Sequence, residues 1–298
     1  MDTDGDLLNP VHKRLDTIPL YYYNPALCEA SFRSMETLRT GTRPDASDAG
    51  YIDIHIRPAC RHRLHTSIIM PKKEGIRELF DDIAVKYDRF NHISSFGADR
   101  SWRRKAVRAI ADTDRPIEVL DVATGTADFA IAVSRKAAPG SHITGIDLSE
   151  GMLEVGKTKC QGLPIGLETG DAENLRFADG TFDRVCVAFG VRNFENLMKG
   201  LKEMHRVLKP GGKLVILELS YPKNRLIFSF YKFYSLKILP RIGASMTGNT
   251  GAFTYLPDSI LKFPLPEKFL PMLKEAGYSQ ASARQFMFGV CRMYCAIK

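Results

Sequence analysis

Cysteine is scarce in this 298-residue chain, and its spacing does not suit metal binding. The six cysteines form no Cys-x-x-Cys pair, and Cys291 and Cys295 have no histidine or second pair nearby. Structural zinc sites need ligands clustered in that way. The sequence therefore predicts free thiols in a reducing compartment and no bound metal.

Long apolar stretches are also missing, since no segment approaches the roughly 18–20 apolar residues of a membrane span. The first ten residues, MDTDGDLLNP, are acidic and lack an apolar run, which argues against a secretory signal. Residues 1–69 contain nine acidic residues, whereas mitochondrial transit peptides are poor in acids. Cytoplasm is the expected compartment.

Net charge is +8, and it is unevenly distributed. Residues 1–69 hold 8 Lys and Arg against 9 Asp and Glu, so residues 70–298 hold 34 against 25. A basic surplus favours nucleic acid, an anionic membrane surface or no particular partner. Charge alone does not choose among the three.

Residues 1–69 differ from the rest of the chain. They hold four of the seven histidines, and no helical or strand period persists in them. We interpret them as a disordered or non-native N-terminal extension, with Met70 as the true start and the folded domain at 70–298. A genuine regulatory extension is the alternative.

From Met70 the pattern changes to regular structure. Helical spacing predicts a helical N-terminal segment over 70–111. Apolar runs and helical segments then alternate, which is typical of an α/β protein with a mostly parallel sheet. Strands are predicted at 117–122, 142–148, 164–170, 182–190 and 213–219, helices at 126–138, from 149, at 195–208 and at 265–277, and a hairpin at the end.

The first predicted strand runs into a turn of small residues, VLDVATGTAD. Gly125 and Thr126 let a ligand approach the backbone at the start of the next helix. The dinucleotide pattern GxGxxG is absent, which argues against a nicotinamide dehydrogenase. Asp121, at the strand end, suits a positively charged ligand; the alternative is an ordinary tight turn.

Two more acids follow the next two predicted strands. Asp147 lies 26 residues after Asp121 and can accept both hydroxyls of a ribose. Asp171 can reach the amino group of adenine, with the N–H of Ala172 available to a ring nitrogen. Taken singly, Asp147 could be a helix cap or a surface acid, but three acids at three successive strand ends are far more specific.

These segments resemble a known family. VLDVATGTAD, GIDLSEGML and GDAENLRFADGTFD resemble the successive S-adenosylmethionine (SAM)-binding motifs of class I methyltransferases. Residues 87–102 and 206–220 resemble the two signatures of the UbiE/MenG/COQ5-type C-methyltransferases of menaquinone and ubiquinone biosynthesis, and residues 189–193 and 255–260 also fit. The resemblance covers 72–298, whereas 1–69 match nothing in the family.

The resemblance implies a Rossmann-like, mostly parallel seven-stranded sheet with helices on both faces, a C-terminal antiparallel hairpin and SAM as cofactor. The family's SAM-contacting positions correspond to Thr126, Asp147, Asp171 and Ala172. Some residues depart from the pattern. Ser94 and Asp99 stand where the first signature often has an apolar residue and a histidine, and Ala188 stands where ubiquinone-pathway members tend to have serine.

The chemistry that the resemblance implies is methyl transfer to a ring carbon of a polyprenyl hydroquinone. Such a carbon needs a base or an anion-stabilising group at the ring hydroxyl. The predicted catalytic residues are Arg192 and Asn193 after the fourth strand, with Tyr87 and Asp88 on the N-terminal helical segment (70–111), which would form a lid. Glu218 is the second-choice base. A structural ion pair is the alternative for Arg192, and a packing role is the alternative for Tyr87.

Residues 226–239 are apolar and aromatic, with two lysines. They either wall the prenyl tail, face a membrane or form an ordinary packed helix. With a membrane-dissolved substrate and a basic domain, transient contact at the inner membrane face is expected. A homodimer is left open.

We predict methylation of demethylmenaquinol to menaquinol. We prefer this acceptor to the ubiquinone precursor because Ala188 departs from the serine of the ubiquinone-pathway members. The ubiquinone-pathway 2-polyprenyl-6-methoxy-benzoquinol is the alternative acceptor. Another small-molecule methyltransferase, a nucleic-acid methyltransferase and a non-enzymatic SAM-binding protein are less favoured. No base-binding motif follows the fourth strand, so no nucleic acid is expected as a partner.

Overall fold

The computed structural model describes residues 73–247 and 251–298. The N-terminal extension predicted over 1–69 lies outside the described residues. Within the described part, nine α-helices and seven β-strands follow one another. The helices are α1 (Lys73–Ser94), α2 (Ala98–Ile110), α3 (Asp128–Ser134), α4 (Glu150–Lys159), α5 (Leu197–Val207), α6 (Arg225–Phe233), α7 (Leu239–Thr247), α8 (Gly251–Lys262) and α9 (Pro266–Glu275).

The strands are β1 (Glu118–Val122), β2 (His142–Asp147), β3 (Ile165–Thr169), β4 (Phe182–Ala188), β5 (Leu208–Leu219), β6 (Ser279–Phe286) and β7 (Cys291–Ile297). Single turns of 3-10 helix cover Val191–Asn193 and Met287–Gly289, and a π-helical turn covers Tyr234–Ile238.

All seven strands belong to one sheet with the order β3-β2-β1-β4-β5-β7-β6. β1 to β5 run parallel, whereas β7 pairs antiparallel with β5 and with β6. This confirms the predicted class I methyltransferase architecture. The strand order reverses between β1 and β4, and open α/β sheets bind ligands beyond the carboxyl ends of the strands at such a reversal.

The alternation of side chains along β1 places a hydrophobic cluster on each face of the sheet. Leu120 packs with Leu201 of α5 and Phe269 of α9 on one face. Val119 packs with Trp102 of α2 and with residues of α3 on the other. Helices therefore cover both faces, and the sheet itself is the rigid base of the site.

Helix α1 forms a lid that packs on α4 and α7. Ile83, Ala84 and Phe90 of α1 form a third buried cluster with Met152 of α4 and Leu239 of α7. The lid is thus held by apolar contacts to elements that follow it far along the chain.

Two predicted elements have wrong boundaries. The helix predicted over 126–138 spans only Asp128–Ser134, and it starts late because Ala127 adopts a left-handed conformation with φ 65°. The strand predicted over 213–219 begins at Leu208, which pairs with Phe182 before an irregularity in the register. Helix α5 ends at Val207, so β5 follows it directly.

The segment predicted over 226–239 folds as α6, the π-helical turn and the first residue of α7. Its side chains at Leu226, Phe230 and Phe233 are 69%, 69% and 62% exposed. It is therefore not an ordinary packed helix along this face. No helix in the described ranges is long and apolar enough to cross a membrane.

Candidate active site

The turn between β1 and α3 uses left-handed backbone at alternate positions. Ala123, Gly125 and Ala127 have φ angles of 53°, 57° and 65°. This conformation is uncommon for residues with a Cβ, and it persists where the surrounding structure enforces it. A Cβ added at Gly125 would meet no atom within 4 Å, so this part of the turn faces open space that a ligand can fill.

Asp147, at the end of β2, fixes this turn. Its Oδ2 accepts a hydrogen bond from Gly125 N at 2.8 Å, and its Oδ1 accepts one from Ser149 N at 2.9 Å. Burial raises the pKa of the Asp147 carboxyl, although the two N–H donors oppose the shift. Each oxygen keeps a further lone pair, so the carboxylate can still accept hydroxyl groups of a ligand.

Asp121, at the end of β1, is fully buried. Burial raises the pKa of its carboxyl to about 7, opposed by hydrogen bonds from Thr124 Oγ1 at 2.7 Å and from the Cys186 thiol. Such a carboxyl is partly protonated at neutral pH. A positively charged ligand nearby would favour its ionised form.

Asp171 follows β3 and is tied to the start of the lid. Lys73 Nζ donates to Asp171 Oδ2 at 2.8 Å and lies 3.0 Å from a carboxylate oxygen of Glu173. Burial lowers the pKa of Lys73, but its hydrogen bonds to the two carboxylates outweigh burial and the net direction is upward. The lid therefore carries a cation onto the carboxylate predicted to bind adenine.

The three acids line one open cavity of about 960 Å³, its mouth included, which we call the first cavity. All six predicted cofactor-binding residues line it: Asp121, Gly125, Thr126, Asp147, Asp171 and Ala172. SAM combines a ribose diol, an adenine amino group and a positively charged methionine moiety. The carboxylates of the first cavity can accept hydrogen bonds from the ribose and the adenine and can attract the positive charge, and the open space at the turn leaves room for the ligand.

A second cavity of about 610 Å³ adjoins the first. Phe80, Tyr87 and Phe189 line both cavities. The other apolar residues that line the second cavity are Leu79, Ile83, Phe90, Trp102, Leu219 and Leu256, and the other polar ones are Asn91, Ser94, Ser95, Asp99, Arg192 and Tyr255. An apolar cavity with a few polar groups beside a cofactor site suits an aromatic acceptor.

Arg192 brings a buried cation to the second cavity. Its Nη1 donates to Glu218 Oε1 at 2.9 Å and to the Phe189 carbonyl, and its Nε donates to Ser259 Oγ at 3.3 Å. Burial lowers the pKa of the guanidinium, but attraction to Glu218 outweighs burial and the net direction is upward. Glu218 is itself fully buried and lines neither cavity.

The other predicted catalytic residues lie at different places. Tyr87 lines both cavities, and Asn193 lines the first and accepts a hydrogen bond from the Tyr255 hydroxyl at 3.1 Å. Asp88 lines neither cavity. Its carboxylate accepts hydrogen bonds from Thr126 Oγ1 at 2.6 Å and from Lys159 Nζ at 2.8 Å.

Sequence reasoning missed the cations that surround these acids. Lys159 pairs with Asp128 as well as with Asp88, and Arg103 of α2 pairs with Asp128 at 2.8 Å. Lys73 is the third such cation. Asp128, at the start of α3, is the one residue in the sequence that could have indicated these ion pairs, because no motif marks the lysines and the arginine.

The ends of β1 and β4 approach so closely that only glycine is tolerated at position 190. A Cβ added there would lie 2.5 Å from the Cβ of Ala123. We expect Gly190→Ala to lower the free energy of unfolding by about 1–3 kcal/mol, the usual cost of overpacking. Thermal unfolding checks this, with Gly166→Ala as control. The added Cβ of the control meets His142 only at 3.8 Å, so equal losses in both variants would contradict the prediction.

Comparison with known proteins identifies the family. A model of the ubiE/COQ5 methyltransferase family matches residues 69–298. The ubiquinone/menaquinone biosynthesis C-methyltransferase UbiE of Geobacter sulfurreducens is 44% identical over 80% of this chain and 94% of its own length. The demethylmenaquinone methyltransferase of Bacteroides fragilis is 44% identical over 76% of this chain and 94% of its own length.

Solved structures agree on the architecture. A SAM-dependent methyltransferase of Thermotoga maritima superimposes with a TM-score of 0.52 at 18% identity, over 74% of this chain and 99% of that protein. At this identity the similarity shows the fold alone, because one fold hosts many activities.

Proposed function

Because this chain belongs to the ubiE/COQ5 methyltransferase family and is a SAM-dependent C-methyltransferase, we propose that it methylates demethylmenaquinol to menaquinol. The observation that carries the proposal is the pair of adjoining cavities. One is lined by the carboxylates that suit SAM, the other is apolar and contains Arg192, and Tyr87 lies at their junction. The ubiquinone-pathway benzoquinol is the second candidate, because the name of the Geobacter relative covers both pathways.

The ring carbon becomes nucleophilic when the neighbouring hydroxyl loses its proton. SAM supplies an electrophilic methyl group on a sulfonium. Arg192 would stabilise the phenolate as a fixed cation, since a guanidinium stays protonated and cannot act as the base. Tyr87 and Asn193 would position the ring against the first cavity, because well-oriented reactants save roughly 7–11 kcal/mol of barrier. Asp88, which contacts Thr126 and Lys159, would act by holding the lid.

The test is methyl transfer from labelled SAM by the full-length protein. Reduced demethylmenaquinone and the ubiquinone-pathway benzoquinol are offered separately, and the labelled products are identified. Label in menaquinone alone supports the proposal. Label in the benzoquinol product alone assigns the second candidate, and label in neither, with SAM binding intact, would overturn both acceptors.

Binding of SAM is expected to release a proton at neutral pH. Asp121 has a raised pKa of about 7, and a bound cation favours its ionised form, so binding displaces the proton that the free protein holds. The affinity for SAM should therefore rise between pH 6 and 7, approaching the limit of tenfold per unit below the pKa. Calorimetry in buffers of different ionisation enthalpy measures the release.

The matched control for this prediction is Asp121→Asn, which mimics the protonated carboxyl. It should bind SAM more weakly, with little pH dependence over the same range. A variant that releases as many protons as the wild type would assign the release to another group.

We also propose that the domain contacts an anionic membrane surface when it collects its substrate. The support is a set of exposed apolar side chains beside basic ones. The apolar members are Leu226, Phe230 and Phe233 of α6 together with Phe96, whose ring lies 5.6 Å from that of Tyr234, and the basic residues of α6 and the π-helical turn are Arg225, Lys232 and Lys237. An exposed aromatic and basic helical face suits the interface of an anionic bilayer.

Replacing Phe230 and Phe233 by serine is expected to lower the affinity for anionic phospholipid vesicles at least tenfold, because burying each phenyl ring contributes about 1.5–3 kcal/mol. Co-sedimentation measures binding, and turnover of a short-chain acceptor in solution should not change. Val85→Ser, which removes an exposed apolar side chain of α1, is the control. Equal vesicle binding by all three proteins would reject the membrane surface.

A further inference from the structure

A carboxylate that the mechanism above does not use faces the second cavity. Asp99, in the first turn of α2, is 2% exposed and lines this cavity between apolar residues such as Trp102 and Phe90. The ion pairs of the described residues give Asp99 no lysine or arginine partner. A buried carboxylate without a permanent cation is costly, so its neighbours require an explanation.

Histidine is the partner of this carboxylate. His92 Nδ1 and Asp99 Oδ2 lie 2.7 Å apart, and Ser95 Oγ donates to Asp99 Oδ1 at 2.9 Å. The His92 side chain is 29% exposed, compared with 3% for that of Asp99. The Asp99–His92 pair therefore connects the second cavity with solvent, because the carboxylate faces the cavity and the imidazole is partly exposed.

A hydrogen-bond donor without a partner lies beside this pair. Asn91 lines the same cavity, and its Nδ2 is buried without any hydrogen-bond partner among the described residues. A buried amide that makes no hydrogen bond has lost its contacts with water without replacement. In a cavity wall, such a group indicates that a ligand oxygen completes it.

Neither Arg192 with its partner Glu218 nor Tyr255 can take the proton of a ring hydroxyl at neutral pH. Arg192 is a permanent cation, and Glu218 is bound to it outside the cavity. Burial raises the pKa of the Tyr255 phenol above its ordinary value, which keeps it protonated. Asp99 is thus the one carboxylate of the described residues that lines this cavity.

We propose that Asn91 and Asp99 bind the ring hydroxyl of the acceptor, with Asp99 as the catalytic base and His92 as a positioning residue that exchanges the proton with solvent. This inference rests on the proposed function and deepens it. Asp99 accepts the hydroxyl proton, and the amide of Asn91 donates a hydrogen bond to the phenolate oxygen that remains. A hydroxyl needs an acceptor and a phenolate needs donors, and the two side chains supply one of each.

The step balances without any further reactant. The hydroxyl proton passes to Asp99, a ring electron pair forms the new carbon–carbon bond to the methyl group, and the carbon–sulfur bond breaks with its electron pair left on sulfur. The ring oxygen then regains the proton that Asp99 holds, and the methylated ring carbon loses its own proton to the freed Asp99 carboxylate. The sum is one methyl group transferred and one proton released through His92.

The test compares Asp99→Asn, His92→Asn and the double variant with the wild type, in the full-length protein. The measurements are the Kd for SAM, and kcat and KM for a reduced short-chain demethylmenaquinone from pH 5.5 to 8.5. Asp179→Asn, which changes a carboxylate with a 78% exposed side chain, is the matched control. Besides Asp99, the titratable or charged side chains that line the cavity are Tyr87, Arg192 and Tyr255, and all three stay unchanged.

Asp99→Asn should lower kcat at least 100-fold with the Kd for SAM within twofold, as expected for the loss of a general base. His92→Asn keeps an N–H beside Asp99 but removes the imidazole. It should lower kcat about tenfold, because the proton then loses its route from Asp99 to solvent. The double variant should lose no more than Asp99→Asn, since His92 acts through Asp99.

Asn91→Leu keeps the inference testable if Asp99→Asn does not fold. Removing an unpartnered buried amide should raise Tm by about 2–4 °C and at the same time lower kcat about tenfold. A kcat within threefold of the wild type in Asp99→Asn, or independent losses in the double variant, would overturn the assignment. A wild type that binds SAM but does not methylate the acceptor would overturn the proposed function and this assignment together.

Discussion

Arg192→Gln is expected to lower kcat for the quinol acceptor about 1000-fold and to change the Kd for SAM less than threefold. The guanidinium lines the second cavity but not the first, so the loss should fall on methyl transfer and not on cofactor binding. Removing a preorganised donor from a developing anion costs about 10²–10³ in kcat, and Arg192 combines a donor with a full charge. Single-turnover kinetics with bound SAM measures the effect.

The bonding of Arg192 explains why its position is so well defined. Glu218, the Phe189 carbonyl and Ser259 engage Nε and Nη1, and no hydrogen bond with a described residue engages Nη2. Nη2 is therefore the guanidinium nitrogen available to a ring oxygen. The side chain is 4% exposed, so its charge acts at close range without water to screen it.

The same substitution should also destabilise the protein. Glu218 would remain buried without its cation, and breaking a buried ion pair costs about 3–5 kcal/mol. The double variant Arg192→Gln/Glu218→Gln should recover most of this stability but none of the activity. If the double variant regained activity, the loss in the single variant would come from misfolding and not from the missing charge. Arg206→Gln, at a partly exposed ion pair, is the control.

The cofactor side of the site was largely readable from the sequence. In a parallel sheet, residues at the carboxyl ends of neighbouring strands meet at one edge, so Asp121, Asp147 and Asp171 were expected to come together. The structure places all three on the first cavity. This prediction depended only on the positions of the strands along the chain, because each acid lies at the end of a strand or just after it, whatever the tertiary packing around it.

The contacts that hold the lid are encoded by no local pattern. Lys73 reaches Asp171 across 98 residues, and Lys159 reaches Asp88 across 71, because the lid packs on elements that come much later in the chain. Predicting Asp88 as catalytic assumed that it points at the acceptor, whereas it contacts Lys159. In the lid signature, the departure at Asp99 was visible, but its pairing with the residue seven positions earlier was not.

The second large effect is expected at Asp147. Asp147→Asn should weaken SAM binding about 100-fold. The carboxylate accepts N–H bonds from Gly125 and Ser149 with both oxygens, and an amide must turn an NH2 group toward one of these donors. The variant would thus lose part of the turn as well as charge-assisted bonds to the ribose, each worth about 1.5–3 kcal/mol. Isothermal calorimetry gives the Kd, and the Tm without ligand separates turn damage from lost ligand contacts.

Asp112→Asn is the control for this prediction, because it changes a carboxylate that pairs with Arg184 and Lys213 outside both cavities. Asp171→Asn is expected to weaken SAM binding less than tenfold. Lys73 already neutralises Asp171, so adenine has to share this carboxylate with a lysine, whereas no lysine or arginine of the described residues pairs with Asp147. Equal losses at positions 147 and 171 would show that the Lys73 contact is released before SAM binds.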